Sequence, residues 1–344
     1  MSVKIVALFP GQGSQHVGMG KDLFDNFKVA REIFEETSDA SHLNLKKLCF
    51  DGPESDLTLT EHTQPALLTV SVAAFRVAHA ELGFTPHAVA GHSLGEYSAL
   101  VAAGAFPLST AAHWVRERGK AMQLAVPKGQ GTMAAVMGLE DGQVAALCEK
   151  ATAQAKEKRA ALVETDLTVE AVVEPANYNA PGQIVIAGSI DGVAEAIALI
   201  KAGGDFAGGK AIPLSVSAPF HCRLMRPARD KMASIFAIAS EKDRPKRPLY
   251  PYVPNRTGRM NQEPGVVFDL LIEQVDHPVM WKQSMAALLE HDFTQTIEFG
   301  PGKVLAGLMK RISNQLQKSP QMFSMGDSTT LKGLAELMKG KVAT

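Results

Sequence analysis

One short run constrains this chain more than any other. Gly91-His92-Ser93-Leu94-Gly95 lies where a short apolar stretch, His87 to Ala90, gives way to the helical composition of Leu94 to Ala103. A G-x-S-x-G at such a junction demands a strand that turns sharply into a helix. Glycines two residues either side of the serine let strand and helix approach closely, so the hydroxyl stands exposed on the turn. The helix N-terminus behind Ser93 favours negative charge developing at that point. The run therefore marks Ser93 as a candidate nucleophile and commits its surroundings to an α/β fold.

The rest of the chain repeats this grammar. Short apolar runs bounded by turn residues alternate with helix-length stretches, the pattern of parallel strands joined by crossover helices. Val3 to Phe9 reads as a buried strand, Thr63 to Leu82 as a buried helix and Thr110 to Val126 as another. Gln295 to Phe299 reads as a late strand, stopped by Gly300-Pro301-Gly302 before a helix from Val304. Between about Gly131 and Ser217 the rhythm changes. Strand (Thr132 to Met137), helix (Asp141 to about Lys158), strands (about Val169 to Val173, Gln183 to Ala187), helix (Ile190 to Ala202) and strand (Ala211 to Val216) make a βαββαβ, ferredoxin-like order. The expected architecture is a large α/β-hydrolase-like domain with a parallel sheet, residues 1–130 and 218–344. A small ferredoxin-like subdomain, 131–217, is inserted into it, with a cleft between the two.

Composition narrows the function. With 344 residues, 46% of them apolar and 21% charged, the chain can bury a large core without disulfides or metals. Lys plus Arg number 35 against 36 Asp plus Glu, so no global field gathers nucleic acid or an anionic membrane. The first apolar run is too short for a signal peptide or a membrane span. Cys49, Cys148 and Cys222 are odd in number and widely spaced, which suits neither disulfides nor zinc and points to a reducing cytoplasm. No metal-ligand spacing is present. Gly204 to Lys210 fits GxxxxGK, but Ala211 stands where a P-loop needs Ser or Thr and the segment leads from helix to strand. Gly11 to His16 starts like a dinucleotide fingerprint, yet His16 holds the place of the third glycine.

A serine hydroxyl needs a base, and ten histidines are available. His92 adjoins Ser93 on a sharp turn, where neighbours point apart. His221 follows a strand and the kinking Ala218-Pro219 and begins a helix at Cys222-Arg223-Leu224-Met225, a position typical of site residues, although a buried or surface histidine remains the alternative.

Six segments in order carry a resemblance: FPGQGSQ (Phe9 to Gln15), GHSLGEYSAL (Gly91 to Leu100), RGKAMQ (Arg118 to Gln123), NYNAPGQIVIAG (Asn177 to Gly188), FHCRLM (Phe220 to Met225) and EFGPG (Glu298 to Gly302). Over roughly Val3 to Ser313 the chain resembles malonyl-CoA:acyl carrier protein transacylases. The resemblance implies that Ser93 carries the acyl group as an ester and that His221 is its base. It implies that the backbone N–H groups of Gln12 and Leu94 form the oxyanion hole, and that the backbone carbonyl of Gln274 orients the histidine. It also implies that Arg118 grips the malonyl carboxylate, a role that suits a guanidinium because it can bind a carboxylate bidentately. Phe220 before His221 and Leu94 after Ser93 resemble malonyl-selecting members. No bound cofactor is implied. The substrates are a coenzyme A thioester and the phosphopantetheine thiol of an acyl carrier protein, in fatty-acid or polyketide synthesis.

Such carriers are typically acidic, and Arg223, Arg226 and Arg229 recur every three residues after His221, which makes them candidate docking residues. Two departures from the family pattern stand out: a longer stretch over Ala151 to Val173, and an added amphipathic tail beyond about Gln315 that includes Leu331 to Met338. Two rival functions share these motifs. An α/β-hydrolase-type esterase or thioesterase would pass the acyl group to water, and a silent acyltransferase-like module would only dock.

Overall fold

The computed structural model describes residues 3–162, 165–216 and 218–340. Five strands form a wholly parallel sheet: β1 (Ile5–Phe9), β2 (Ala88–Gly91), β7 (Tyr252–Val253), β8 (Gln295–Phe299) and β9 (Gln321–Met325), in the order β7-β2-β1-β8-β9. β1, at the centre, is apolar along its whole length because helices cover both faces of the sheet. The middle of the helix Thr60–Leu82, residues 66–78, is buried on nearly every side, as an apolar run broken only by Thr69, Ser71 and Arg76 requires. Phe9, Phe75, Phe84 and Phe299 pack their rings together between this helix and the sheet.

The second sheet holds β3 (Gly131–Met137), β4 (Val173–Ala180), β5 (Gln183–Ser189) and β6 (Lys210–Pro213), all antiparallel, in the order β4-β5-β3-β6. With the helices Asp141–Ala160 and Ile190–Ala202 in between, this order is that of the ferredoxin-like unit. An isolated bridge from Asn177 to Val279 ties it to the larger layer. The expected limit at Ser217 lies outside the described residues, as do residues 163–164 of the long connection and the chain ends 1–2 and 341–344.

Several boundaries differ from the sequence reading, each for a local reason. The strand expected at Val169 to Val173 starts at Val173 instead. Ahead of it, the Gln130 side chain accepts from the N–H groups of Thr168 and Val169, and the Ser189 hydroxyl accepts from that of Val172, so side chains replace the ladder. The strand expected to reach Val216 stops at Pro213, and Leu214, Ser215 and Val216 turn away to wall a cavity. The helix expected from Cys222 opens as a 3-10 turn, Arg223–Met225, and becomes α-helical at Arg226–Ala237.

The tail is not an appendage. β9 pairs residue for residue with β8, and the helix Ser328–Met338 after it buries Leu331 and Leu334 against the main core. β7 and β9 were not foreseen. The first is two residues long, and the second, Gln-Met-Phe-Ser-Met, is half-polar because it is an edge strand.

Candidate active site

The turn at Ser93 is as tight as the sequence demanded. A Cβ on Gly91 would lie 1.8 Å from the carbonyl oxygen of Gly95, and one on Gly95 would lie 2.0 Å from that of Phe9. No side chain fits at either position. Ser93 itself has φ 51, a left-handed conformation costly for a residue with a Cβ. An unforeseen residue holds that conformation. Asn255, just beyond β7, accepts from the Ser93 N–H through Oδ1 at 2.6 Å and donates through Nδ2 to the Gly91 carbonyl at 2.6 Å.

The Ser93 Oγ lies 2.7 Å from Nε2 of His221, and Nδ1 of that ring lies 2.8 Å from the backbone oxygen of Gln274. A carbonyl can only accept, so Nδ1 carries the hydrogen and Nε2 presents its lone pair to the serine. No carboxylate is needed to set this tautomer. His221 is 3% exposed and also left-handed, at φ 61. Burial, with the Arg118 charge nearby, pushes its pKa down to about 3, so the ring is neutral. His92 faces elsewhere: its Nε2 meets Asn179 Oδ1 at 2.8 Å and its ring packs on Trp281.

Arg118 is 1% exposed. It donates to Gln64 Oε1 (2.7 Å), to Gln274 Oε1 (2.8 Å) and to Ser93 Oγ (3.1 Å), and lies over the Tyr97 ring. All these partners are neutral, and among the described residues no carboxylate forms an ion pair with it. Gln274 thus serves twice, by its backbone to His221 and by its side chain to Arg118. The second contact, like those of Asn255 and Gln64, had no local sequence signal: each amide has a polar or charged residue beside it, as a surface position would.

A cavity of about 430 Å³ opens over Ser93. The large layer contributes Gln12, Leu94 and Arg118 to it, and the small sheet contributes Met133 and Val185, with Phe220 beside His221. Among the described residues the N–H groups of Gln12 and Leu94 have no protein acceptor, so both remain available to a ligand oxygen. The constellation can therefore do nucleophilic chemistry on a carbonyl that carries an anion nearby.

Arg223, Arg226 and Arg229 do not line this cavity; they line a groove of about 850 Å³ that shares His221 with it. Two of the three are already paired: Arg223 with Glu174 at 2.5 Å and Arg229 with Asp276 at 3.3 Å. Arg226 is exposed, and among the described residues it forms no ion pair. The described residues hold no cluster of three or more potential metal ligands, and no helix among them is long and apolar enough to cross a membrane.

A parallel sheet whose second strand delivers a serine on a strained turn, facing a histidine ring, defines a class of α/β proteins built for acyl chemistry. The family model described as "Acyl transferase domain" matches residues 6–329. A malonyl CoA-acyl carrier protein transacylase of Bacillus subtilis is 41% identical over 314 residues, 91% of this chain and 92% of that protein. Among solved structures, an acyl-carrier-protein S-malonyltransferase from Burkholderia pseudomallei superposes with a TM-score of 0.85 at 41% identity, covering 97% of this chain and 100% of its own. A type II PKS acyl-carrier protein in complex with its malonyl-transacylase gives a TM-score of 0.86 at 38% identity, over 97% and 99% of the two chains. The chain belongs to the malonyl CoA-acyl carrier protein transacylases of the acyl transferase domain family.

Proposed function

We propose that the protein moves a malonyl group from malonyl-CoA to the phosphopantetheine thiol of an acyl carrier protein, through an ester on Ser93. One observation carries the choice of a diacid: Arg118 is a buried guanidinium with only neutral partners, 3.1 Å from Ser93 Oγ. The nearest carboxylate, the buried Glu96, meets this cation only across the Gln274 amide, so no anion is in contact with it, and a substrate carboxylate is the partner that supplies one.

The steps follow from the geometry. His221 Nε2 takes the hydroxyl proton as Ser93 Oγ attacks the thioester carbonyl. The N–H groups of Gln12 and Leu94 receive the developing oxyanion. Collapse breaks the carbon–sulfur bond, and the coenzyme A thiolate takes the proton from His221. The carrier's thiol then repeats the sequence on the ester, giving its proton to His221 and returning Ser93 to the hydroxyl. In this reading the inserted unit, 131–217, covers the acyl group, and no bound cofactor takes part. The groove around Arg223, Arg226 and Arg229 is the carrier's approach, with Arg226 as its free cation. Three buried, unpaired cysteines fit a reducing compartment, the cytoplasm.

Intact-mass analysis after incubation with malonyl-CoA, with and without a carrier protein, tests the reading. A malonyl adduct that a tandem digest places on Ser93, and that disappears onto added carrier, is the expected result. Free malonate without carrier labelling would favour the esterase, and an unmodified chain the silent docking module.

A further inference from the structure

Three residues beyond Ser93, in the first turn of the helix Gly95–Ala102, a carboxylate is buried that the steps above do not use. Glu96 is 1% exposed. Its Oε2 accepts from the Asn255 N–H at 2.9 Å and from Gln274 Nε2 at 2.7 Å, while its Oε1 has no partner. The Gln274 amide has two ends. Its Nε2 serves Glu96 and its Oε1 accepts from Arg118, so anion and cation face each other across one amide rather than in contact.

Other ionisable groups around Glu96 are few. The helix Leu108–Leu124 supplies Arg118, β7 supplies Tyr252, and Tyr97 is its chain neighbour. His221 meets the cluster through Arg118 and is neutral. The helix Thr60–Leu82 brings Gln64, and β1 and β2 carry no ionisable side chain. Asp276, beyond Gln274 on the helix Val267–Asp276, is engaged with Arg229 and His277.

We propose that Glu96 is a proton-linked counter-charge for Arg118, taking up a proton from solvent when a substrate carboxylate occupies the guanidinium and releasing it when that carboxylate leaves. The inference rests on the reading that Arg118 receives the malonyl carboxylate. In the empty site one buried cation balances one buried anion. A second carboxylate leaves the cluster with excess negative charge in a low-dielectric interior, and the cheaper outcome is protonation of the anion that does not touch the cation. Oε1 can take the proton without breaking either hydrogen bond on Oε2. Burial already raises the Glu96 carboxyl to about 7, against the opposing pull of its Asn255 and Gln274 hydrogen bonds and of Arg118, so uptake occurs within the neutral range. Acetyl-CoA brings no carboxylate and should cause no uptake. As pH rises above about 7 the malonyl-to-acetyl ratio of kcat/KM should therefore fall, by at most about tenfold per pH unit.

The test is proton uptake during a single loading turnover in weakly buffered solution, read with an indicator dye, for malonyl-CoA and acetyl-CoA in parallel. Subtracting the acetyl run removes the contribution of the released thiol. At about one pH unit above 7, where the empty site holds Glu96 mostly ionised, the expected result is a malonyl excess approaching one proton per Ser93 ester, falling to about half a proton or less at pH 7. In Glu96→Gln, which keeps an oxygen for both donors but no charge, the excess should vanish and the malonyl-to-acetyl ratio should become level with pH. Equal uptake for the two thioesters in the wild type overturns the proposal, as does an excess that survives in Glu96→Gln. Intact mass on the same samples separates the layers. No malonyl adduct removes the underlying reading together with the proposal, whereas an adduct without excess uptake removes the proposal alone.

Discussion

Two cationic regions flank His221, and they treat their charges in opposite ways. Inside the cavity, Arg118 is sealed from water and surrounded by amide oxygens, a hydroxyl and a ring. In the outer groove, Arg223 and Arg229 stay partly solvated and are already neutralised by Glu174 and Asp276. A dry guanidinium with no anion in contact, its nearest carboxylate held off by the Gln274 amide, keeps an appetite for one, while a wet ion pair is worth little and offers little. The contrast teaches that counting arginines on a surface misjudges where an anion binds. What matters is which cation the fold has left unpaired.

The severest test of the inner region is Ser93→Ala. It should abolish the malonyl adduct and lower transfer by several orders of magnitude with the melting temperature unchanged, because only the hydroxyl is lost. Near-normal transfer would remove the nucleophile from the reading.

Next in size is Arg118→Ala. The loss of a desolvated charge pair is about 3 to 5 kcal/mol, so malonyl kcat/KM should fall by roughly two to four orders of magnitude while acetyl loading holds or improves. Arg118→Lys should recover part of the malonyl rate, since it keeps the charge and loses the fork. Parallel losses for both thioesters would mean that the inner cation supports the fold instead of selecting a diacid.

A smaller effect is expected from pH. A base at its ordinary pKa of 6.5 would lose half its rate at that pH, whereas a ring held neutral down to about 3 should keep acetyl loading nearly level through it. Stability carries the matching sign. Between 6.5 and about 3 the unfolded chain binds a proton that the folded chain refuses, so the contribution of His221 is complete above 6.5 and shrinks as pH falls. An acid limb near 6.5 in the wild-type acetyl-loading profile would show that water reaches the ring.

The smallest effect belongs to the groove. Arg226→Glu should raise the apparent KM for carrier about threefold or more at low salt, fade at high salt, and leave loading from malonyl-CoA unchanged. Adding Arg229→Glu should do little further, because that cation is spent on Asp276. Equal damage to both half-reactions would erase the distinction between the two regions.

Much of this was legible in the chain. The glycine pair around Ser93 announced a turn because only glycine tolerates contacts of 1.8 and 2.0 Å. The βαββαβ order announced the small sheet because strand and helix periods are local properties. Other parts were not. β7 is two residues long and β9 is an edge strand, and neither has a period to read. Asn255 lies 162 positions from Ser93, and nothing around it in sequence distinguishes it from a loop asparagine.

By itself, then, the sequence determined the strand–turn–helix at Ser93, the insertion of a second small sheet and the set of residue types available for acyl chemistry. Each depends on neighbours within a few positions. Only the tertiary structure decided that Gln274 would bridge His221, Arg118 and Glu96, that Arg118 would have no carboxylate in direct contact, and that Arg223 and Arg229 would be paired. Those outcomes depend on which charges burial brings together. The free energy of a buried charge is set by its nearest partners in space, most of which here lie far away in the chain.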